Sequence, residues 1–259
     1  MKKVKDNSEA YQIMAQFYDK LMGENKYAGW KDLIAEVIEK YRIPKTLCLD
    51  VACGTGNISK LLIELGFKVV GVDISQEMIA IARQKFPDEV FICADSRYFG
   101  LARNYGAGLG LGGIDFAVSF YDSLNYLLSD EDILQTFKSV NRNLEPGAIF
   151  LFDMNPMVHI KVAQKFKPRV FEDDDMYSVF RFGGEDRLWT LDIDFFIKED
   201  TDHYRLVKER HIERGYDKKD IVPLLKQANF KVLEVRKEYK IYEDGKEHLS
   251  RLYFIAQKV

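Results

Sequence analysis

Apolar residues recur along this chain with two different periods, and the change of period divides it. Trp30, Leu33, Ile34, Val37, Ile38 and Tyr41 fall at i, i+3, i+4, i+7, i+8 and i+11, one stripe of a helix that Pro44 stops. A short apolar run over 46–51 then meets Ala52-Cys53-Gly54-Thr55-Gly56, a turn with two glycines. Ile58, Leu61, Leu62 and Leu65 give the next helix its face, and Gly66 follows as its C′ residue. A second apolar run, 69–72, ends at Asp73. Ser75 can cap a helix that carries Met78, Ile79 and Ala82 and stops near Pro87. Strands over 90–94, 114–120 and 148–154 continue the alternation. Before the last of them comes a helix opened by Ser129 with Asp132 and faced by Ile133, Phe137, Val140 and Leu144. Repeated β-helix-β units with apolar strands predict a parallel sheet covered on both faces.

From about residue 176 to 214 the period is two. Trp189, Leu191, Ile193, Phe195 and Ile197 alternate with Thr190, Asp192, Asp194 and Phe196. With 177–180 before and 204–214 after, this predicts three antiparallel strands with one face covered. Glu172-Asp173-Asp174-Asp175 reads as a solvated loop ahead of them. The first pattern then resumes. Asp217 with Asp220 opens a helix carrying Ile221, Leu224, Leu225 and Ala228, kinked at Pro223, and strands over 231–239 and 251–258 follow. The expected organisation is one α/β domain, 1–156 and 216–259, interrupted by a β subdomain at 157–215. Residues 1–28, polar with Tyr11, Phe17, Tyr18 and Tyr27, form a lead-in or a lid. Residues 97–113, glycine-rich over 105–113, form a long, flexible connection.

Composition narrows the partners. The formal net charge of −3 leaves no basic excess to draw in a phosphate backbone, which disfavours nucleic acid. Cys48, Cys53 and Cys93 match neither a zinc spacing nor a disulfide framework and read as small buried thiols in a reducing cytoplasm. No run approaches the roughly 18 apolar residues of a membrane span, so a cytoplasmic protein without a membrane partner is expected.

The glycine turn alone admits two cofactor classes. A dinucleotide site wants a third glycine so that a pyrophosphate can lie on the helix N-terminus. Here Asn57, Ile58 and Ser59 follow Gly56. Asp50, ending the first strand, would repel a phosphate and suits a positively charged ligand. S-adenosylmethionine carries an ammonium and a sulfonium and no phosphate. Asp73 lies 17 residues past Gly56, near the spacing of a ribose-binding acid, and can accept from both ribose hydroxyls. Asp95, ending the third strand, is placed for an adenine amino group. Each acid alone could be a helix cap; all three stand at strand ends, where ligands bind in open α/β sheets.

These residues carry a resemblance. Asp50-Val51-Ala52-Cys53-Gly54-Thr55-Gly56 resembles motif I of the class I S-adenosylmethionine-dependent methyltransferases. Gly71-Val72-Asp73-Ile74-Ser75 with Met78, and Ala94-Asp95-Ser96, resemble the motifs that follow. Phe17-Tyr18-Asp19 and Phe120-Tyr121-Asp122-Ser123-Leu124-Asn125-Tyr126 are also similar, and the β insertion after strand five resembles the small-molecule N-methyltransferases of the amino-sugar and glycine type. The resemblance implies a Rossmann-like α/β fold with a seven-stranded sheet in the order 3-2-1-4-5-7-6, its last strand antiparallel. It implies S-adenosylmethionine as cofactor, S-adenosylhomocysteine as product and a homodimer as a possible assembly. Asp50 and the backbone from Ala52 through Gly54 to Gly56 would hold the methionine part, and Asp73 the ribose. Ile74 and Met78 would flank the adenine, and Asp95 with Ser96 would reach its edge. Phe120 would offer its backbone, and Tyr18, with Tyr11 nearby, would close over the methyl.

Transfer of a methyl from a sulfonium needs proximity and exclusion of water, and a base only if the nucleophile must lose a proton. Glu209 and His211, two apart on a strand, face the same way. With Tyr18 they are the candidate catalytic residues; the alternative is a surface pair. Tyr126 is a candidate to line the acceptor pocket, and Arg214 with Tyr216 to bind an acidic group. The Trp189 stripe reads as core of the insertion. Ser119-Phe120-Tyr121-Asp122 departs from the Asn/Asp-Pro-Pro-aromatic run expected for methylation of nucleic-acid amines, and Cys53 lies inside the turn, leaving no candidate nucleophilic cysteine. No metal is implied. The expectation is methyl transfer to a small amine or hydroxyl. A non-catalytic S-adenosylmethionine-binding module, an RNA or protein methyltransferase, and an NAD- or nucleotide-sugar-dependent enzyme on a similar fold are the alternatives.

Overall fold

The computed structural model describes residues 10–23, 28–101, 113–201, 203–241 and 245–259. Of the connection expected over 97–113, residues 102–112 lie outside them, while its start is held in place by the Arg97–Asp95 ion pair and by buried Phe99. In chain order come α1 (Met14–Met22), α2 (Ala28–Tyr41), β1 (Leu47–Val51), α3 (Asn57–Glu64), β2 (Lys68–Asp73), α4 (Gln76–Lys85), β3 (Val90–Cys93), β4 (Ile114–Ser119), a 3-10 turn (Ser123–Tyr126), α5 (Asp130–Asn143) and β5 (Ile149–Met154). Then follow α6 (Met157–Ala163), β6 (Arg169–Asp173), β7 (Met176–Glu185), β8 (Leu188–Lys198), β9 (Tyr204–Arg214), α7 (Lys218–Gln227), β10 (Phe230–Ile241) and β11 (Glu247–Lys258).

The main sheet runs β10-β11-β5-β4-β1-β2-β3, which read from the other edge and counting its own strands is the expected 3-2-1-4-5-7-6. β11 pairs antiparallel with both β5 and β10, while β1 to β5 are parallel. Every residue of β1 and β5 is buried, because helices cover both faces. Phe137 and Val140 of α5 and Ile221 and Leu225 of α7 close one side. Ile34 and Val37 of α2 and Leu62 of α3 close the other. α7 runs through Pro223 to Gln227 as one helix.

The insertion forms a four-stranded antiparallel sheet, β6-β7-β8-β9, not three strands. The strand missed, β6, is mostly exposed and shows no alternation. Its register pairs Glu172 with Tyr177 and Asp173 with Met176, so the acidic run is a strand end and the hairpin turn after it. α6 is too short to show a period. The apolar face of this sheet, Met176, Leu191, Ile193 and Phe195, is covered by α1, where Met14 is buried and the Phe17 ring stacks on Phe195 at 6.2 Å. Of the N-terminal segment, α1 and the residues just before it are therefore seated on the insertion. Cys48 and Cys53 are buried, but Cys93 is exposed because β3 is an edge strand. Among the described residues no helix is long and apolar enough to cross a membrane.

Candidate functional site

β1 lies between β2 and β4, so the chain reverses its direction of travel across the sheet at β1 and opens a crevice beyond the strand ends. A cavity of about 330 Å³ occupies it. Ala52, Gly54, Asp73, Ile74, Met78, Asp95, Ser96 and Phe120 line it, and Tyr11, Tyr18 and Tyr126 line its far end. Asp50, Gly56, Glu209, His211 and Arg214 are not on its wall.

The turn is shaped for close approach. Gly54 and Gly56 take φ of 54° and 84°, and a Cβ on Gly56 would come within 2.9 Å of the Phe86 ring. Ala52 holds φ 57° despite its side chain, a strained conformation of the sort that collects at functional sites. Asp73 faces the turn from β2. Its Oδ2 accepts the N–H of Gly54 at 2.8 Å and its Oδ1 that of Ser75 at 2.9 Å. Burial pushes its carboxyl up, against the pull of those donors. Ile74 beside it is 64% exposed at the mouth, while Met78 is buried beneath the turn. An apolar rim next to a carboxylate with capacity for further donors fits a nucleoside.

Asp50 stands behind this turn. It is 1% exposed and accepts from Ser59 Oγ at 2.6 Å. Ser59 occupies the position at which a dinucleotide fingerprint has its third glycine. Burial pushes Asp50 up to about 7, with the Asp73 charge adding and Ser59 opposing. The expectation of direct contact with a cationic ligand is thus replaced by support of the turn from within. A buried acid with a raised folded-state pKa keeps a proton that the unfolded chain releases. Unfolding free energy should therefore fall as pH climbs from about 4 to about 7, by roughly 4 kcal/mol for a shift of this size. Asp50→Asn should remove that slope in denaturation curves taken across the range.

Asp95 is also re-employed. Arg97 grips it, with Nη2 at 2.6 Å from Oδ2 and Nε at 3.0 Å, and reaches Asp132 with Nη1 at 2.7 Å. Burial alone would raise the Asp95 carboxyl, but the guanidinium outweighs it and the net shift is downward. The carboxylate expected to meet an adenine amino group is engaged by an arginine. Ser96 Oγ stands 3.3 Å from Thr136 Oγ1.

The α1 segment is pinned twice, at the glycine turn and on β9. Asp19 accepts from Thr55 Oγ1 at 2.6 Å, Asn57 Nδ2 at 2.8 Å and Lys85 Nζ at 2.9 Å. Its role was not anticipated, although it ends the Phe17-Tyr18-Asp19 segment. Glu209 accepts the backbone N–H groups of Tyr11, Ile13 and Met14 at 2.8, 3.0 and 3.1 Å. Glu209 thus anchors the start of α1, and a direct catalytic contact is ruled out by its burial behind the wall. Burial raises its carboxyl, yet His211 and these N–H groups win and lower it. Glu209→Ala should speed amide hydrogen exchange at Tyr11, Ile13 and Met14 by about tenfold or more, since hydrogen bonds to a charged acceptor are worth about 1.5–3 kcal/mol.

His211 Nε2 lies 2.7 Å from Glu209 Oε1, short but off the axis of an ideal hydrogen bond. Its Nδ1 is 3.0 Å from Tyr126 Oη, which is 2.7 Å from Tyr11 Oη. His211 is 1% exposed, so it meets the cavity through Tyr126 and, edge to face, through the Tyr11 ring at 4.7 Å. Arg214 does not face the cavity. Its Nη2 pairs with Asp130 at 2.8 Å and its guanidinium stacks on the Tyr216 ring at 4.6 Å. Tyr216 is wholly buried, donating to the carbonyl of Leu127. Neither is placed for an acidic substrate.

A charged cluster that sequence reasoning missed lies beside Tyr126. Tyr121 and Asp122 take consecutive positive φ angles of 65° and 53°. Their N–H groups donate to Asp153 at 3.3 and 2.9 Å. Arg251 bridges Asp153 and Asp122, the latter at 3.0 Å. Glu213, 3% exposed, accepts from Asn155 Nδ2 at 3.1 Å and is hydrogen-bonded to Asp122. Burial, with the Asp122 charge behind it, pushes Glu213 far up. Asp153, the one acid in an otherwise apolar run, was the available signal.

Comparison with known proteins agrees with this geometry. A family model described as a methyltransferase domain matches residues 48–147. The putative methyltransferase YqeM of Bacillus subtilis (strain 168) is 36% identical over 96% of this chain and 97% of its own. The dTDP-3-amino-3,4,6-trideoxy-alpha-D-glucopyranose N,N-dimethyltransferase of Streptomyces venezuelae is 29% identical over 57% of this chain and 56% of its own. The crystal structure of an S-adenosylmethionine-dependent methyltransferase from Clostridium acetobutylicum ATCC 824 superposes with a TM-score of 0.77 at 27% identity, covering 96% of this chain and 98% of that one.

Proposed function

Because this chain belongs to the S-adenosylmethionine-dependent methyltransferases, we propose that its acceptor is a small-molecule amine held between Tyr18, Phe120 and Tyr126. The observation that carries the reading is one continuous cavity. It begins at Gly54 and Asp73 on the strand ends and finishes at Tyr11 and Tyr126 beneath the lid. Its size suits a small ligand rather than a polymer.

S-adenosylmethionine, when bound, supplies a methyl already activated on sulfur. The residues of this chain bind, orient and exclude water. Asp73 would accept from the ribose hydroxyls; its two backbone bonds leave lone pairs for them. Ile74 and Met78 would flank the adenine, with Ser96 and Asp95 at its edge. The backbones of Ala52, Gly54 and Phe120 would meet the methionine part. Tyr18, with Tyr11, roofs the methyl. The insertion contributes the lid's seat and the groups behind Tyr126.

The amine reading rests on similarity, since burial pushes Glu213 far up toward its neutral form and Arg251 pairs with Asp122. A sugar N,N-dimethyltransferase among the relatives supports the same class. The test is release of S-adenosylhomocysteine from S-adenosylmethionine on a panel of small amines, nucleotide-linked amino sugars and hydroxylated compounds. Amines should give product; product from hydroxyl compounds alone would overturn the reading. NAD raising the melting temperature where S-adenosylhomocysteine does not would remove the cofactor assignment of these residues.

A further inference from the structure

Four side chains between the cavity and the start of α1, namely Glu209, His211, Tyr126 and Tyr11, lie in consecutive polar contacts of 2.7, 3.0 and 2.7 Å. Glu209 already accepts three backbone N–H groups and its carboxyl is held low, so toward His211 it is an acceptor only. Nε2 stands 2.7 Å from that carboxylate, outside hydrogen-bond geometry, and a bare nitrogen lone pair so close to an anionic oxygen would be repelled, which favours the hydrogen on Nε2. That leaves the lone pair of Nδ1 for Tyr126, whose O–H donates to it across 3.0 Å. With its hydrogen so committed, Tyr126 Oη accepts from Tyr11 O–H across 2.7 Å. The order reads carboxylate, imidazole N–H, imidazole lone pair, phenol. Tyr126 brings its end of the chain to the cavity wall. The other ionisable groups acting on the two tyrosines are Glu213 and Asp122, with Tyr18 on Tyr126.

We propose that the acceptor amine sheds its proton into this chain, making Tyr126 a catalytic residue and His211 the base behind it. The inference rests on the amine reading above. The steps balance. The nitrogen of the protonated amine gives a proton to Tyr126 Oη as the O–H proton of Tyr126 passes to His211 Nδ1. The imidazolium so formed faces the Glu209 carboxylate. The freed nitrogen lone pair forms the N–C bond as the C–S bond breaks and its electron pair returns to sulfur. Glu209 is a positioning residue, coupling the imidazole tautomer to lid closure through the N–H groups it holds.

The test has one arm that needs no acceptor. In protein labelled with 15N at its four histidines and saturated with S-adenosylhomocysteine, long-range proton–nitrogen spectra should show His211 as the Nε2–H tautomer. Loss of signals in His211→Gln assigns it, and Tyr126→Phe should shift its Nδ1 resonance. An Nδ1–H tautomer would overturn the relay. The second arm uses an amine that releases S-adenosylhomocysteine. Tyr126→Phe should lower kcat by about a hundredfold or more with KM within about threefold, and should lose the rising limb of kcat against pH that the wild type shows. Unchanged kcat in Tyr126→Phe would overturn the relay while leaving the amine reading standing. Failure of every amine would remove both.

Discussion

Replacing Asp73 with alanine should weaken S-adenosylhomocysteine binding by about a hundredfold or more. Two ribose hydroxyls would lose a charged acceptor, and bonds of that kind are worth about 1.5–3 kcal/mol each. The variant also frees the N–H of Gly54, which Asp73 holds at 2.8 Å. Since Gly54 sits at φ 54° with no side chain of its own to fix it, part of the loss should come from a turn that is less well set before the ligand arrives. Asp73→Asn separates the two contributions. Its amide oxygen can still accept from one backbone N–H, so it should retain the turn and lose mainly the charge. Calorimetric titration reads both. Affinity unchanged in Asp73→Ala would take the ribose away from this residue.

Arg251→Met should be the most destabilising single change near the site. Arg251 is the cation between Asp153, which is wholly buried, and Asp122. Removing one partner of a buried pair typically costs about 3–5 kcal/mol, because the remaining charge is left without compensation. At roughly 2–4 °C per kcal/mol for a chain of this size, the melting temperature should fall by about 10 °C. The damage should also reach the cavity, since Asp153 holds the N–H groups of Tyr121 and Asp122 in their left-handed conformations. The pH dependence has a definite sign. Burial pushes Asp153 up to about 6 even with Arg251 opposing it. Without the guanidinium it should keep its proton to higher pH. The deficit relative to wild type should therefore be largest at about pH 8 and shrink toward about pH 5, where a neutral carboxyl needs no cation. Denaturant titrations at the two pH values measure it, and a deficit below about 1 kcal/mol at the higher one would show that the pair is not a stabilising unit.

These two residues differ in how far they could be read in advance. Asp73 was legible because it ends an apolar run and follows a glycine turn at a recognisable distance, and both signals are local. The same holds for the strands β1 to β5 and the helices between them. It holds also for the Ser75 cap, whose Oγ accepts the Met78 N–H at 3.2 Å. Arg251 and Asp153 stand 98 positions apart and meet only because β11 slides antiparallel along β5 in a register that sets Tyr253 opposite Asp153. No period along the chain reports that register.

The β insertion shows the same division more finely. Alternation showed that Glu209 and His211 share a face of a strand, which they do. Period two cannot say what covers that face. Once α1 lies on it, Glu209 becomes the anchor of three lid amides and His211 is shut behind Tyr126. Asp50 and Asp95 likewise stand at the strand ends where they were expected, yet Ser59 and Arg97 claim their carboxylates.

The sequence by itself determined the fold, the cofactor family and the place of Asp50, Asp73 and Asp95 at the strand ends, because burial, turns and caps act over a few residues. Which side chains touch the cavity, and which only hold those that do, was decided by the packing of α1, the 3-10 turn and β9 around one space. That packing depends on contacts between segments far apart in the chain.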